Sequence, residues 1–380
     1  MADIYQQLLD KMDTLGKGYP RTEKGTEVNF LKKLFSPEDA EFHLKMKIGS
    51  YSAHETAEYM GISVEEAFEN LERMSRRHLL YWQYGPNNIE RRYRLIPFVH
   101  GLWEFNPDKI ELADAADRAY HFANGFGESL FDYRLPIVRV VPTRPETVKD
   151  DQLLRIDDAR ENVKQQNLII VADCVCRVSG KFKGPCDCAD TVSRCMMFGD
   201  MARFYLEENV ANPRVVTVKE ALALLDENDD LGYTTMVGHS TTYTAICNCP
   251  SCHCGILRAA KISNAVGPKH GKQTFTRWGN YLCTKDDDKC INCGICVDRC
   301  PLQAMTMGED GTVSLDLNLC IGCGLCVTKC PTQAVILERK AQGELNLPED
   351  EFAYDAFDRM AEEKLIIDKE RAELAKKGNE

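Results

Sequence analysis

A repeated cysteine-rich segment constrains this 380-residue chain more than any other feature of its sequence. The segments CINCGICVDRCPLQA (290–304, copy one) and CIGCGLCVTKCPTQA (320–334, copy two) are identical at ten of fifteen positions, at an offset of 30 residues. Both have the spacing Cys-x2-Cys-x2-Cys-x3-Cys-Pro. Clustered cysteines in a chain without a secretory signal indicate metal ligation rather than disulfide bonds.

This spacing resembles that of bacterial-type two-cluster ferredoxins, which bind 4Fe–4S clusters. Three neighbouring cysteines reach three corners of one cluster, and the fourth, held by the following proline, turns to the other cluster. The ligands expected for cluster one are Cys290, Cys293, Cys296 and Cys330. Those expected for cluster two are Cys320, Cys323, Cys326 and Cys300. A pair of zinc knuckles is the alternative, and the third cysteine of each run and the Cys-Pro endings count against it.

Two further features of this region bear on the clusters. Gly294 and Gly324 suit loops whose backbone N–H groups approach the cluster sulfurs. Cys283 lies seven residues before the first expected ligand, on a segment expected to be a strand that packs against the strand AVILER. We expect Cys283 to be a small core residue rather than a ligand.

Nine more cysteines lie upstream, between residues 174 and 254. Three of their pairs are spaced Cys-x-Cys, whereas zinc sites usually start from Cys-x2–4-Cys pairs. Further iron–sulfur clusters are therefore expected, with zinc or free structural thiols as the alternatives. Basic residues near the first group offset the negative charge of a cluster or simply solvate a loop; they are Arg177, Lys181, Lys183 and Arg194.

The blocks CVCR, GPCDC and ICNCPSCHCG, upstream of the repeat, resemble those of larger multi-cluster ferredoxin-like proteins of anaerobes. The resemblance implies one or two additional 4Fe–4S clusters and leaves Cys188 as a spare. The implied ligands are Cys174, Cys176, Cys186, Cys195, Cys247, Cys249, Cys252 and Cys254. Spacing does not show how these eight are shared, and His253 is either a ligand or, as we expect, a residue behind the ligands.

The first hundred residues contain no cysteine and predict two helices joined at Gly61, followed by a hairpin with its turn at 85–88. This order resembles a winged-helix domain. The candidate recognition helix, 63–78, begins with glutamates and has its arginines only near its end. Sequence-specific DNA binding needs a basic footprint, and residues 1–100 have 15 acids against 14 bases. We expect a structural or protein-interaction module, with a DNA reader as the alternative.

The chain has a net charge of −12, and half of it lies in the tail 343–380, which has 12 acids and 6 bases. Its start lacks the basic and apolar regions of a secretory signal, and no apolar run is long enough to span a bilayer. We therefore expect a cytoplasmic protein with reduced thiols. The tail is expected to be helical, and it either docks a partner or closes over the chain's own core.

The predicted fold class is α+β. We divide the chain into a winged-helix-like domain (1–105), a mostly helical connector with a proline-marked loop at 136–145 (106–170), a cysteine-rich iron–sulfur domain (171–282), a two-cluster ferredoxin domain (283–342) and an acidic tail (343–380). LIIVADC is expected to be a buried strand that delivers the first cysteines, and Thr217 with Glu220 to form a capping box.

These features predict a protein, or a subunit of an anaerobic redox system, that passes single electrons along its clusters. Its expected partners are redox proteins, in particular an oxidoreductase complex, with no membrane span, no DNA and no small-molecule substrate. No Walker loop, Rossmann glycine motif or Ser/His/Asp constellation occurs in the sequence. Two alternatives remain: a redox-responsive winged-helix regulator, and a catalytic iron–sulfur reductase subunit.

Overall fold

The computed structural model describes residues 3–85, 89–130, 135–183, 192–266 and 278–377. It is 46% helical and 16% strand, which agrees with the predicted α+β class. Among the described residues, no helix combines the length and the apolar character that crossing a membrane requires.

The α-helices are α1 Ile4–Asp13, α2 Glu27–Leu34, α3 Pro37–Lys45, α4 Ala53–Met60, α5 Val64–Arg76, α6 Trp103–Phe105, α7 Leu112–His121, α8 Gly127–Ser129, α9 Ala159–Lys164, α10 Val175–Gly180, α11 Gly199–Glu207, α12 Val218–Asp230, α13 Gly255–Val266, α14 Ile295–Arg299 and α15 Ala353–Lys377. The strands are β1 Leu80–Tyr84, β2 Arg91–Leu95, β3 Val138–Val140, β4 Ile169–Asp173, β5 Ser193–Phe198, β6 Arg214–Val215, β7 Thr234–Gly238, β8 Ala245–Cys249, β9 Tyr281–Lys285, β10 Met305–Met307, β11 Val313–Leu315 and β12 Val335–Arg339.

The chain forms two compact units. Unit one contains residues 1–135, 200–213 and 353–380, and unit two contains residues 136–199 and 214–352. The finer five-part division made from the sequence stays a prediction.

Unit one contains the predicted helix–turn–helix and hairpin. Gly61 ends α4 in the left-handed conformation, with a φ of 70°, so that the chain turns into α5. Strands β1 and β2 pair antiparallel, and residues 86–88 of the predicted turn lie outside the described residues. These elements have the expected order, and their assignment as a winged helix stays a prediction.

The tail helix α15 packs on the core of unit one with its first turns. The Tyr354 ring stacks on Tyr81 at 4.6 Å, and Phe357 and Met360 are buried. The almost fully buried Arg94 donates to Asp358 at 2.7 Å. Burial nevertheless raises the pKa of Asp358 to about 6, because the Arg94 charge only partly offsets the loss of water. Of the two roles considered for the tail, these contacts favour closure over its own core.

Unit two is built on a six-stranded sheet of order β3-β7-β8-β5-β4-β6, in which all neighbours are antiparallel. One face packs against α9 and α12 through alternate apolar residues such as Val171, Met196 and Ile246. LIIVADC forms the predicted buried strand, β4, and α12 begins with the predicted capping box of Thr217 and Glu220.

The loop predicted over 136–145 contains a strand instead. Val138–Val140 forms β3 and pairs with β7 at one edge of the sheet. Both valines are β-branched and buried, and the fully buried Arg139 between them donates to Asp157 at 3.2 Å. The prolines on either side therefore bound a short strand rather than a loop.

The cysteine repeat belongs to unit two as well. Strand β9 pairs with β12, and β10 pairs with β11, in both cases antiparallel. Cys283 is buried in β9 opposite Leu337 of β12, which confirms its expected place in a strand of the core. The backbone of copy two approaches β9 closely, since a Cβ atom on Gly322 would lie 2.3 Å from the Tyr281 carbonyl oxygen.

This close approach yields a prediction about two glycines with similar backbone conformations. Gly322 and Gly311 have φ values of 68° and 76°, but a Cβ atom on Gly311 meets nothing within 4 Å. We expect Gly311→Ala to cost about 1 kcal/mol of unfolding free energy through backbone strain alone. Gly322→Ala adds a clash with main chain and should cost about 3 kcal/mol in total. Anaerobic denaturant unfolding measures both, and equal costs would contradict the close approach.

Candidate metal centres

The two copies of the repeat have the same backbone geometry. Left-handed φ values recur at the offset of 30 residues: 54° at Asn292 and 68° at Gly322, then 82° at Gly294 and 79° at Gly324. Gln303 and Gln333 follow the same rule at 58° and 52°. Similar dihedral angles at equivalent positions fold each run of cysteines into the same loop.

Copy two encloses a cavity with about 360 Å³ of empty space. Its lining includes all four cysteines expected to bind cluster two and also Cys283. Burial and the neighbouring Cys326, Cys300 and Cys320 thiols raise the pKa of the Cys323 thiol well above its ordinary value. Four thiols around one cavity fit a 4Fe–4S cluster, in which each iron takes one thiolate. The expected ligand Cys300 comes from copy one, as the sequence argument requires.

The thiols expected to bind cluster one lie nearer to solvent. Cys293 is exposed, and Cys290, Cys296 and Cys330 are half-buried. Burial and the neighbouring thiols raise the pKa of Cys296 to about 11. Burial also acts to raise the pKa of Cys330, but N–H donors, the first from Ala334, outweigh it and lower that pKa.

Backbone donors reach the sulfur atoms at equivalent places in the two copies. The Ala304 N–H donates to Cys300 Sγ at 3.1 Å, and the Ala334 N–H donates to Cys330 Sγ at 3.3 Å. From β9, the Cys283 N–H donates to Cys320 Sγ at 3.4 Å. Donors of this kind favour the thiolate form and hold each sulfur in place.

The sequence analysis placed Cys283 in the core, and the structure gives it a further position that the spacing did not reveal. Its Sγ lies 3.7 Å from Cys326 Sγ and lines the cavity of copy two. Cys283 is thus a fifth sulfur beside the four expected ligands. The pairing of β9 with β12 brings it there, and no local motif marks that pairing in the sequence.

The upstream cysteines are arranged by strand alternation. In β5 and β8, Met196 and Ile246 pair with each other and face the apolar core. Cys195, Cys247 and Cys249 stand at the alternate positions, so they lie on the opposite face of the sheet. The Cys-x-Cys spacing that fits zinc motifs poorly is therefore the period of a strand.

Six upstream thiols form a closed ring of contacts on this side of unit two. Contacts with Cys174 and Cys247, together with burial, raise the pKa of Cys195 well above its ordinary value. Contacts with Cys247 and Cys254, and burial, do the same for Cys249. Cys176 closes the ring, because it interacts with both Cys174 and Cys254 and raises the pKa of each, that of Cys174 to about 12.

The two remaining expected ligands differ from these six. Cys252 is exposed, and Cys186, like the spare Cys188, lies outside the described residues. Within the described residues, no group of three or more His, Cys, Asp or Glu side chains converges on a position for a single metal ion. A 4Fe–4S cluster takes its thiolates at four separate irons, so it does not need such convergence.

The charged residues near this ring have specific partners. Arg177 is buried, with its guanidinium 4.6 Å from the Tyr233 ring centre, and it donates to the Asn248 carbonyl at 3.1 Å. Arg194 forms an ion pair with Glu227 at 2.6 Å, so its charge is balanced by a carboxylate. His253 is buried beside Gly180, where a Cβ atom would lie only 2.1 Å from its ring. The side chain of Lys181 is exposed.

Comparison with known families agrees with the geometry of the repeat. Residues 289–334 match the family model described as the 4Fe–4S dicluster domain. A search of curated proteins finds no match to the chain. The chain therefore contains a 4Fe–4S ferredoxin-type domain at residues 289–334.

Proposed function

We propose that this chain is an electron-transfer protein of an anaerobic redox system, with two 4Fe–4S clusters in the repeat and further clusters upstream. The observation that carries the proposal is the cavity lined by Cys300, Cys320, Cys323 and Cys326, inside a domain that matches a 4Fe–4S family. The iron–sulfur electron-transfer role follows from that family in general terms. The cluster number, the ligand sets and the redox system belong to the proposal.

The protein holds each cluster with thiolates and with N–H donors. A bound 4Fe–4S cluster supplies one-electron oxidation and reduction, at a potential set by charge, hydrogen bonds to sulfur and solvent exposure. The N–H groups of Ala304 and Ala334 point at ligand sulfurs and stabilise the negative charge that an added electron brings. The buried thiols of copy two disfavour that charge more than the exposed Cys293 side of copy one. We therefore expect copy one to have the higher potential.

The upstream ring is proposed to hold one or two further clusters. Its six thiols, together with Cys186 and Cys252, provide eight ligands, which is enough for two clusters. The ring supports a shared region of unit two rather than separate sites, since every contact in it joins thiols from neighbouring elements. How the eight thiols divide between two clusters stays open.

Ion pairs in unit one weigh against the DNA-reading alternative. On α5, Arg73 and Arg77 bind the buried Asp39. In the hairpin, Arg91 pairs with Glu72 at 2.7 Å, and Arg94 pairs with carboxylates of α15. Arginines that already hold carboxylates have little charge to offer phosphate groups. We propose a structural or protein-interaction role for this unit.

The first test separates a ligand from its neighbour in one cavity. Cys323→Ala should remove about four irons per chain, or convert that cluster to a three-iron form, because one iron loses its thiolate. Cys283→Ala, the matched control in the same cavity, should keep the full iron content. Iron and sulfide quantitation with EPR of the reduced protein measures both. Loss of a cluster from the Cys283 variant with retention in the Cys323 variant would contradict the ligand set.

The second test concerns the upstream cysteines. The protein purified without oxygen should contain about sixteen irons per chain if four clusters are present. Cys195→Ala should lower that number by about four, while Cys188→Ala, at the expected spare, should leave it unchanged. A wild-type content near eight irons, or zinc in the upstream region, would confine the clusters to the repeat and contradict this part of the proposal.

A further inference from the structure

The repeat provides an internal comparison between two equivalent surfaces. At an offset of 30 residues, Ile291, Cys293, Ile295 and Met307 of the first half correspond to Ile321, Cys323, Leu325 and Leu337 of the second. We call the first set the open face and the second set the covered face. In each half the last residue lies 3.3 Å from where a Cβ would stand on the glycine of the loop, Gly294 or Gly324.

The two faces differ sharply in their exposure to solvent. On the open face, Ile291, Ile295 and Met307 are 62%, 38% and 43% exposed, and Cys293 is exposed. On the covered face, the equivalent Ile321, Leu325 and Leu337 are 3%, 0% and 1% exposed, and Cys323 is buried. The same kind of apolar surface is thus buried in one copy and left in water in the other.

The rest of unit two buries the covered face with backbone contacts. The Thr143 N–H donates to the Cys323 carbonyl at 3.0 Å, and the Lys149 N–H donates to the Leu337 carbonyl at 2.8 Å. Arg299 donates to the Leu325 carbonyl at 2.7 Å. These contacts show that a surface of this shape is suited to packing against protein.

Charge distinguishes the two halves as well. Residues 283–318, around the open face, contain seven acids and three bases, a net charge of −4. Residues 319–342 contain one acid and three bases, a net charge of +2. Asp298 is exposed on α14, whereas the equivalent Thr328 donates to Asp229 inside unit two at 2.9 Å. An apolar centre with an acidic surround complements a partner with an apolar centre and a basic rim.

We propose that the open face is where a separate redox protein, with an apolar contact spot inside a basic rim, docks to exchange electrons with this chain. The inference rests on the proposed electron-transfer function and names the surface and the partner chemistry that serve it. Its placement is apt because Cys293, an expected ligand of cluster one, lies at the centre of the face. Acidic charge steers the encounter, and burial of the apolar residues holds the complex.

The test uses the full chain, purified anaerobically, and a basic haem protein, ferric cytochrome c, as the probe. One electron passes from the reduced chain to each ferric haem, and stopped-flow absorbance follows the reaction. Asp298→Lys and Met307→Lys probe the rim and the apolar centre. Glu41→Lys and Leu112→Lys are matched controls on unit one, with the same changes in charge at exposed positions. Iron content and EPR establish that every variant keeps its clusters.

We expect both open-face variants to lower the second-order rate constant for cytochrome c about tenfold at low salt, and the controls to stay near wild type. Added salt should shrink the effect of Asp298→Lys, because the charge contribution is screened. A small neutral quinone should oxidise all of the proteins at similar rates, since it needs no docking surface.

Three outcomes would overturn the inference. Open-face variants that react with cytochrome c like their controls would show that a basic protein uses another surface. A wild-type dimer that Met307→Lys converts to a monomer, seen by sedimentation, would assign the face to a second copy of the chain. A wild-type protein that reduces neither cytochrome c nor the quinone would contradict the proposed function itself, and with it the docking inference.

Discussion

The C-terminal turn of α12 connects the cysteine-bearing parts of unit two. Asp229, fully buried there, accepts hydrogen bonds from Arg144 at 2.7 Å, Arg299 at 3.1 Å and Thr328 at 2.9 Å. Arg299 lies next to Cys300 in copy one, and Thr328 lies between Cys326 and Cys330 in copy two. Removing a buried partner of this kind leaves charges uncompensated and costs about 3–5 kcal/mol. One carboxylate therefore holds both copies against the sheet.

The same turn reaches the upstream cysteines. Glu227, two residues before Asp229, pairs with Arg194, which precedes Cys195 in β5. The strand that presents an upstream thiol and the loops that present the repeat are thus fixed to one helix end. Electron transfer between clusters depends on constant separation, so a rigid common support serves the proposed function better than a flexible linker would.

Local signals predicted local structure well. The capping box at Thr217, the strand LIIVADC and the left-handed glycines of the repeat all follow from short-range chemistry, and the structure contains each of them. The partners of Asp229 lie 70 to 99 residues away, and no local pattern indicates them. Strand β3 was missed because three residues between prolines carry too short a pattern. The strand period of the Cys-x-Cys pairs was legible in the sequence, but it was compared only with zinc motifs.

The repeat is the feature in which sequence and structure complement each other most closely. Two nearly identical segments predict two nearly identical sites, and on sequence alone neither copy is distinguished as inner or outer. The fold breaks this symmetry, because the segment 143–149 and Arg299 pack on one copy and leave the equivalent face of the other exposed. Burial disfavours the extra negative charge of a reduced site, whereas exposure tolerates it. A single asymmetry of packing thus gives the two copies different potentials and gives only copy one an open face for a partner.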